Sequence, residues 1–134
     1  MARRESRVTI DAKGRDNGKI FVLTEMSADK AERWATRLLF ALINNGAEFP
    51  DNIQEMGMAG IAAIGIKSLG KLPYEQAEPL LDEMFECVRI QPNPKDPNLV
   101  RLLIADDIEE VTTRILLRKE LFKLHIDFFT TADS

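Results

Sequence analysis

Arg7-Val8-Thr9-Ile10-Asp11-Ala12-Lys13-Gly14-Arg15-Asp16-Asn17-Gly18-Lys19-Ile20-Phe21-Val22-Leu23-Thr24 is the stretch on which the fold turns. Its two ends, Arg7 to Ile10 and Lys19 to Thr24, are short β-branched and aromatic runs, and the polar segment between them holds Gly14 and the turn pair Asn17-Gly18. Runs of that kind joined by turn residues read as a β-hairpin. Alternation puts Val8 and Ile10 on one face of the first strand, opposite either Ile20 and Val22 or Phe21 and Leu23 of the second.

Beyond the hairpin the period changes from two to 3.6. Ser27 is an N-cap candidate, and Ala31, Trp34, Ala35, Leu38, Leu39, Leu42 and Ile43 recur at helical spacing up to Gly46, a suitable C′ residue. After Pro50 and Asp51, residues Ile53 to Leu69 are apolar nearly all round and rich in glycine and alanine, which reads as a buried central helix. Ala77, Leu80, Leu81, Met84, Phe85 and Val88 form a third stripe, with Pro79 placed where the helix should start in earnest. Val88 to Gln91 and Leu99 to Ile104 flank a loop with three prolines and suit a second short hairpin near residues 88–104. Asp106 followed by Glu109 resembles a capping box opening the last helix, and neighbouring acids complement its dipole. The expectation is therefore an α+β fold, mainly α, with about four helices and a small N-terminal hairpin. Residues 1–134 should form a single domain with one core, with disordered ends at 1–5 and 130–134.

Composition narrows the function classes. The 134 residues carry 45% apolar and 30% charged side chains, a globular balance, and a formal net charge of −4. The chain as a whole thus lacks the positive field that wraps nucleic acid. No stretch supplies the ~20 apolar residues of a membrane span, and Met1 to Glu5 lead into polar sequence instead of a signal peptide, so a cytoplasmic location is expected. One cysteine, Cys87, excludes an internal disulfide.

Candidate chemistry is sparse. Gly14 to Lys19 suggests a phosphate loop, but three residues separate the glycines where four are needed, Ile20 stands where Ser or Thr belongs, and a strand follows instead of a helix. His125 and Cys87 are the only residues of their types and share no metal-ligand or nucleophile–base spacing, so no catalytic, cofactor or metal site is expected. Cys87 reads as a core residue and His125 as a helix-surface or C-terminal dipole residue. Asp82, Glu83 and Glu86 read as a solvated face. Arg33 with Arg37, Arg114 with Arg118, and Lys119 with Lys123 are basic pairs one turn apart, most simply explained by salt-bridged solubility. The last helix stands out because it has two apolar faces: Ile108, Val111, Ile115, Phe122 and Ile126 on one, and Leu117, Leu121, Leu124 and Phe128 on the other. The second face is the candidate surface for binding a partner or a second copy.

Read in order, Val8-Thr9-Ile10 with Gly14-Arg15-Asp16 and Gly18-Lys19, Thr24-Glu25-Met26, Ala31-Glu32-Arg33-Trp34-Ala35, Glu78-Pro79-Leu80-Leu81-Asp82-Glu83-Met84 and Asp107-Ile108-Glu109-Glu110-Val111 resemble the tail assembly chaperones of long-tailed bacteriophages and their prophages. The resemblance implies a small, non-enzymatic protein of the host cytoplasm. Such a protein binds the phage tape measure protein and keeps it soluble while the tail tube assembles, without cofactor, nucleic acid or membrane. It further implies a frameshifted longer form whose extension recruits tail tube protein, this chain being the short form. The family offers no catalytic residues to carry over. The alternative expectation is a phage or regulatory nucleic-acid-associated protein using Arg33, Arg37, Arg114 and Arg118.

Overall fold

The computed structural model describes residues 3–48 and 68–132, with side chains through residue 125. Strands β1 (Glu5–Thr9) and β2 (Ile20–Thr24) pair antiparallel with Val8 opposite Phe21 and Ser6 opposite Leu23. This register resolves the two alternatives in favour of Phe21 and Leu23, both fully buried. The loop between the strands closes through the Ile10 N–H on the Lys19 carbonyl (2.9 Å) and the Gly18 N–H on the Ile10 carbonyl (2.7 Å). Gly18 sits at φ +86°, a left-handed conformation that costs a glycine little and other residues more.

Strand β3 (Val88–Gln91) lies on the other side of β2, and β4 (Arg101–Leu102) lies beyond it, giving one antiparallel sheet in the order β1-β2-β3-β4. Phe21 opposite Ile90 and Leu23 opposite Val88 continue the apolar rows started by β1. Burial of a side chain the size of Phe21 or Leu23 contributes roughly 1.5–3 kcal/mol, so these rows anchor the sheet.

Helix α1 (Ala28–Asn44) starts as the sequence suggests: the Ser27 hydroxyl accepts the Lys30 N–H at 3.3 Å. It ends in a Schellman turn, with the Ala47 N–H on the Leu42 carbonyl (2.9 Å), the Gly46 N–H on the Ile43 carbonyl (3.1 Å) and Gly46 at φ +81°. Its buried stripe is Ala31, Trp34, Ala35, Leu38 and Leu42, and Ile43 is left exposed. Helix α2 spans Tyr74–Phe85, so it begins five residues before Pro79 and takes the proline into its interior. The Trp34 Nε1–H donates to the Leu80 carbonyl at 2.8 Å and ties α1 to α2. A 3₁₀ turn over Ala105–Asp107 precedes helix α3 (Val111–Ala132).

The expectation of a mainly α fold with about four helices and a small hairpin is corrected. The described residues hold three α-helices and one four-stranded antiparallel sheet, a mixed α+β architecture. The expected helix from Ile53 to Leu69 lies, through residue 67, outside the described residues. The second hairpin expected near residues 88–104 is present, with β3 and β4 paired antiparallel (Arg89 opposite Leu102, Ile90 opposite Arg101) around the proline loop; it is not a separate element, because β3 also pairs with β2 and joins the N-terminal strands in one sheet. Strand β1 begins at Glu5 and α3 runs through Ala132.

The chain divides into two compact units, each built from two separate stretches. The first comprises residues 1–25 and 85–124 and contains the sheet and the first part of α3, with Phe21, Val22, Leu23, Val88, Ile90, Leu117 and Leu121 buried. The second comprises residues 26–84 and 125–134, with α1 and nearly all of α2, and buries Trp34, Leu38, Leu42, Leu80 and Met84.

Candidate functional site

The polar centre of the first unit is Asp16, at the tip of the β1–β2 loop. Its side chain is 1% exposed, and its carboxylate accepts the backbone N–H groups of Glu109 (3.0 and 3.2 Å) and Glu110 (2.9 Å), the Lys19 ammonium (3.0 Å) and the Thr113 hydroxyl. Glu109 and Glu110 immediately precede α3, so Asp16 brings a negative charge from the hairpin to the positive end of that helix. Burial by itself would raise the Asp16 carboxyl pKa. The donors from Glu109, Thr113, Lys19 and Glu110 outweigh burial and hold it well below the usual carboxylate range.

The neighbouring loop residues reinforce the same junction. Arg15 reaches the Glu110 carboxylate with Nε (2.6 Å) and the Glu109 carbonyl with a terminal nitrogen (2.7 Å). Lys19 Nζ also donates to the Asp107 carbonyl (3.0 Å) and stands 3.7 Å from the Glu109 carboxylate. Asp107 accepts a two-armed contact from Arg101 (2.8 Å each) and the Ile104 N–H (2.7 Å), which together lower its pKa against the opposing effect of burial. Glu110 is held low chiefly by its hydrogen bond from Arg15.

This corrects the capping expectation. Helix α3 begins at Val111, Asp107 serves the 3₁₀ turn before it, and the carboxylate at the helix start comes from Asp16, more than ninety residues earlier. A carboxylate so fully supplied with donors and kept ionised is suited to joining chain segments, and it has no free lone pair with which to take a proton from a substrate.

The expected partner-binding residues divide. Leu117 and Leu121 are fully buried and belong to the core of the first unit, and Leu124 is half-buried. Phe128 lies among the residues whose side chains are not described. The face proposed as a contact surface is therefore, at its two best-placed leucines, the packing face of α3. On the other stripe Val111 (72%) and Ile115 (62%) are exposed, Ile108 and Phe122 are half-buried, and the side chain of Ile126 lies outside those described. Two apolar stripes on one helix look equivalent in sequence, and only the packed structure shows which leucines are buried.

The basic pairs also separate. Arg33 faces Asp29 at 3.3 Å along α1, and Arg37 pairs with Glu83 of α2. Arg114 and Arg118 instead lie over the ring of Phe85, at 4.2 and 4.8 Å from its centroid. His125 is not on the surface: it is 1% exposed, and its Nε2 accepts the Met26 N–H at 3.0 Å. Accepting that hydrogen requires a lone pair on Nε2, so the neutral ring carries its proton on Nδ1. Cys87 is half-buried, and its carbonyl accepts the Thr24 N–H at 3.1 Å.

Among the described residues there is no group of three or more His, Cys, Asp or Glu side chains arranged to hold a metal, and no helix is long and apolar enough to cross a membrane. Neither family models, curated proteins nor solved structures give a match to this chain.

Proposed function

We propose that the chain is a tail assembly chaperone of a long-tailed bacteriophage or prophage, acting in the host cytoplasm by binding the tape measure protein and without catalysis. The observation that supports this reading most directly concerns where the resemblance falls. Gly14-Arg15-Asp16 with Gly18-Lys19, and Asp107-Ile108-Glu109-Glu110-Val111, are two of the segments that carry it, and they meet in one hydrogen-bonded junction. The exposed Val111 and Ile115 further suit a protein that works by covering an apolar client. In the longer form the reading anticipates, an extension would recruit tail tube protein.

Co-expression with a tape measure segment tests the proposal. The client should move from the insoluble to the soluble fraction and co-purify with the chain. A client that remains equally insoluble in its presence would refute the chaperone reading. An overlapping, frameshifted reading frame followed by a gene for a very long helical protein is the genomic arrangement expected beside it.

A further inference from the structure

The outer face of α3 combines three features that point to the chemistry of a partner. First, Val111 and Ile115, one turn apart, are 72% and 62% exposed, in contrast to Leu117 and Leu121 on the opposite side of the helix. Second, the residues interleaved with them are cationic. At 100° per residue, Arg114 and Arg118 fall on one flank of the Val111–Ile115 line and Lys119 on the other. Over residues 111–124 the cations are Arg114, Arg118, Lys119 and Lys123 against the single acid Glu120, a net of +3 on a chain whose net charge is −4. Third, the acids just before the helix are already engaged, Glu110 by Arg15 and Glu109 by Lys19. Among the described residues no ion pair is formed by Arg114 or Lys119.

Phe85 makes the cationic flank a built feature. Its ring, itself 8% exposed, carries both the Arg114 and Arg118 guanidinium groups within 5 Å of its centroid. The Arg114 guanidinium is thereby held in place before any ligand arrives, which lowers the ordering cost of binding an anion. A polyphosphate would use the cations and leave Val111 and Ile115 exposed. A segment with apolar residues flanked by carboxylates would use both.

We infer that the outer face of α3 is a docking surface for an acidic amphipathic segment of another protein, with Val111 and Ile115 taking its apolar side chains and Arg114 and Lys119 its carboxylates. The assignment rests on the reading of the chain as a protein-binding domain and not on which client it serves.

The test is titration of the full chain with a synthetic helical peptide carrying leucine at i and i+4 and glutamate between, followed by backbone amide shifts. A scrambled peptide of the same composition, a twenty-residue thymidine oligonucleotide and an unliganded sedimentation run accompany it. The expected result is a set of shifts centred on residues 111–119, binding weakened about tenfold by Ile115→Glu and several-fold by Arg114→Ala, and a marked loss on raising salt. Asn98→Glu, an equal charge change on the exposed proline loop, should leave binding unchanged. Circular dichroism of each variant verifies the fold. Equal binding of the scrambled peptide, shifts elsewhere, tighter binding of the oligonucleotide unaffected by Ile115→Glu, or a dimer that Ile115→Glu dissociates would each overturn the assignment. In the co-expression assay, Ile115→Glu should lose client that the wild-type chain holds. A variant that still solubilises it removes this surface but leaves the chaperone reading standing, whereas a wild-type chain that solubilises nothing removes the reading itself.

Discussion

Replacing Asp16 by Asn keeps the size of the side chain but removes its charge and turns one acceptor into a donor. In the wild-type chain the carboxylate serves two backbone N–H groups, a hydroxyl and an ammonium, from a side chain that is 1% exposed. A hydrogen bond to a charged group contributes roughly 1.5–3 kcal/mol, and a buried N–H left without an acceptor costs roughly 1–3 kcal/mol. Asn can retain part of the set through its carbonyl oxygen, so the expected loss is about 2–4 kcal/mol. With an unfolding entropy of about 2.1 cal/mol/K per residue, that is a fall in Tm of roughly 7–14 °C for a chain of this length. The pH dependence has a definite sign. The folded-state pKa of Asp16 lies below the unfolded value of about 3.9, so its stabilisation is fully present above that value and is lost as pH falls from it toward the folded pKa. Urea melts of wild type and D16N should therefore differ by the full amount at pH 7 and converge below about pH 4. Asp11→Asn, an exposed change in the same loop, should shift stability by less than about 0.5 kcal/mol. A D16N protein as stable as wild type at pH 7, or a difference that persists unchanged to pH 3, would refute the assignment of Asp16 as the junction of hairpin and helix.

Three further outcomes follow from the packing. Leu121→Ala should destabilise by about 2–5 kcal/mol because it empties a fully buried position, whereas Ile115→Ser should stay within about 0.5 kcal/mol; chemical denaturation separates the two stripes of α3 directly. Trp34→Phe removes the donor to the Leu80 carbonyl and should cost about 1–3 kcal/mol while leaving far-UV circular dichroism unchanged. Gly46→Ala meets no steric obstacle yet must adopt φ +81°, so a loss near 1 kcal/mol is expected, and a gain in Tm would show that the Schellman turn had relaxed.

Local signals translated well where the physics is local. Ser27 caps α1 and Gly46 ends it because both effects act within one turn of the chain, and the β1–β2 pairing follows from strand composition and turn residues close in sequence. Signals that depend on a distant surface were legible only as alternatives. Pro79 looked like a boundary because proline disfavours a helix interior, but the stripe Ala77, Leu80 and Met84 continues through it and packing carries the helix past. His125, read as a helix-surface or C-terminal dipole residue, is enclosed and given a backbone N–H to accept.

The sequence by itself determined the alternation that makes Phe21 and Leu23 strand residues, the helical period of α1 and α3, and the shortage of residues for metal or nucleophile chemistry. Those are properties of neighbours along the chain, or of composition. Only the tertiary structure decided that residues 88–102 join the hairpin in one sheet, that Asp16 closes the start of a helix more than ninety residues away, and that Leu117 and Leu121 face inward while Val111 and Ile115 face out. An amphipathic pattern fixes which residues share a face, but which face is buried depends on the surface it meets, and that surface comes from elsewhere in the chain.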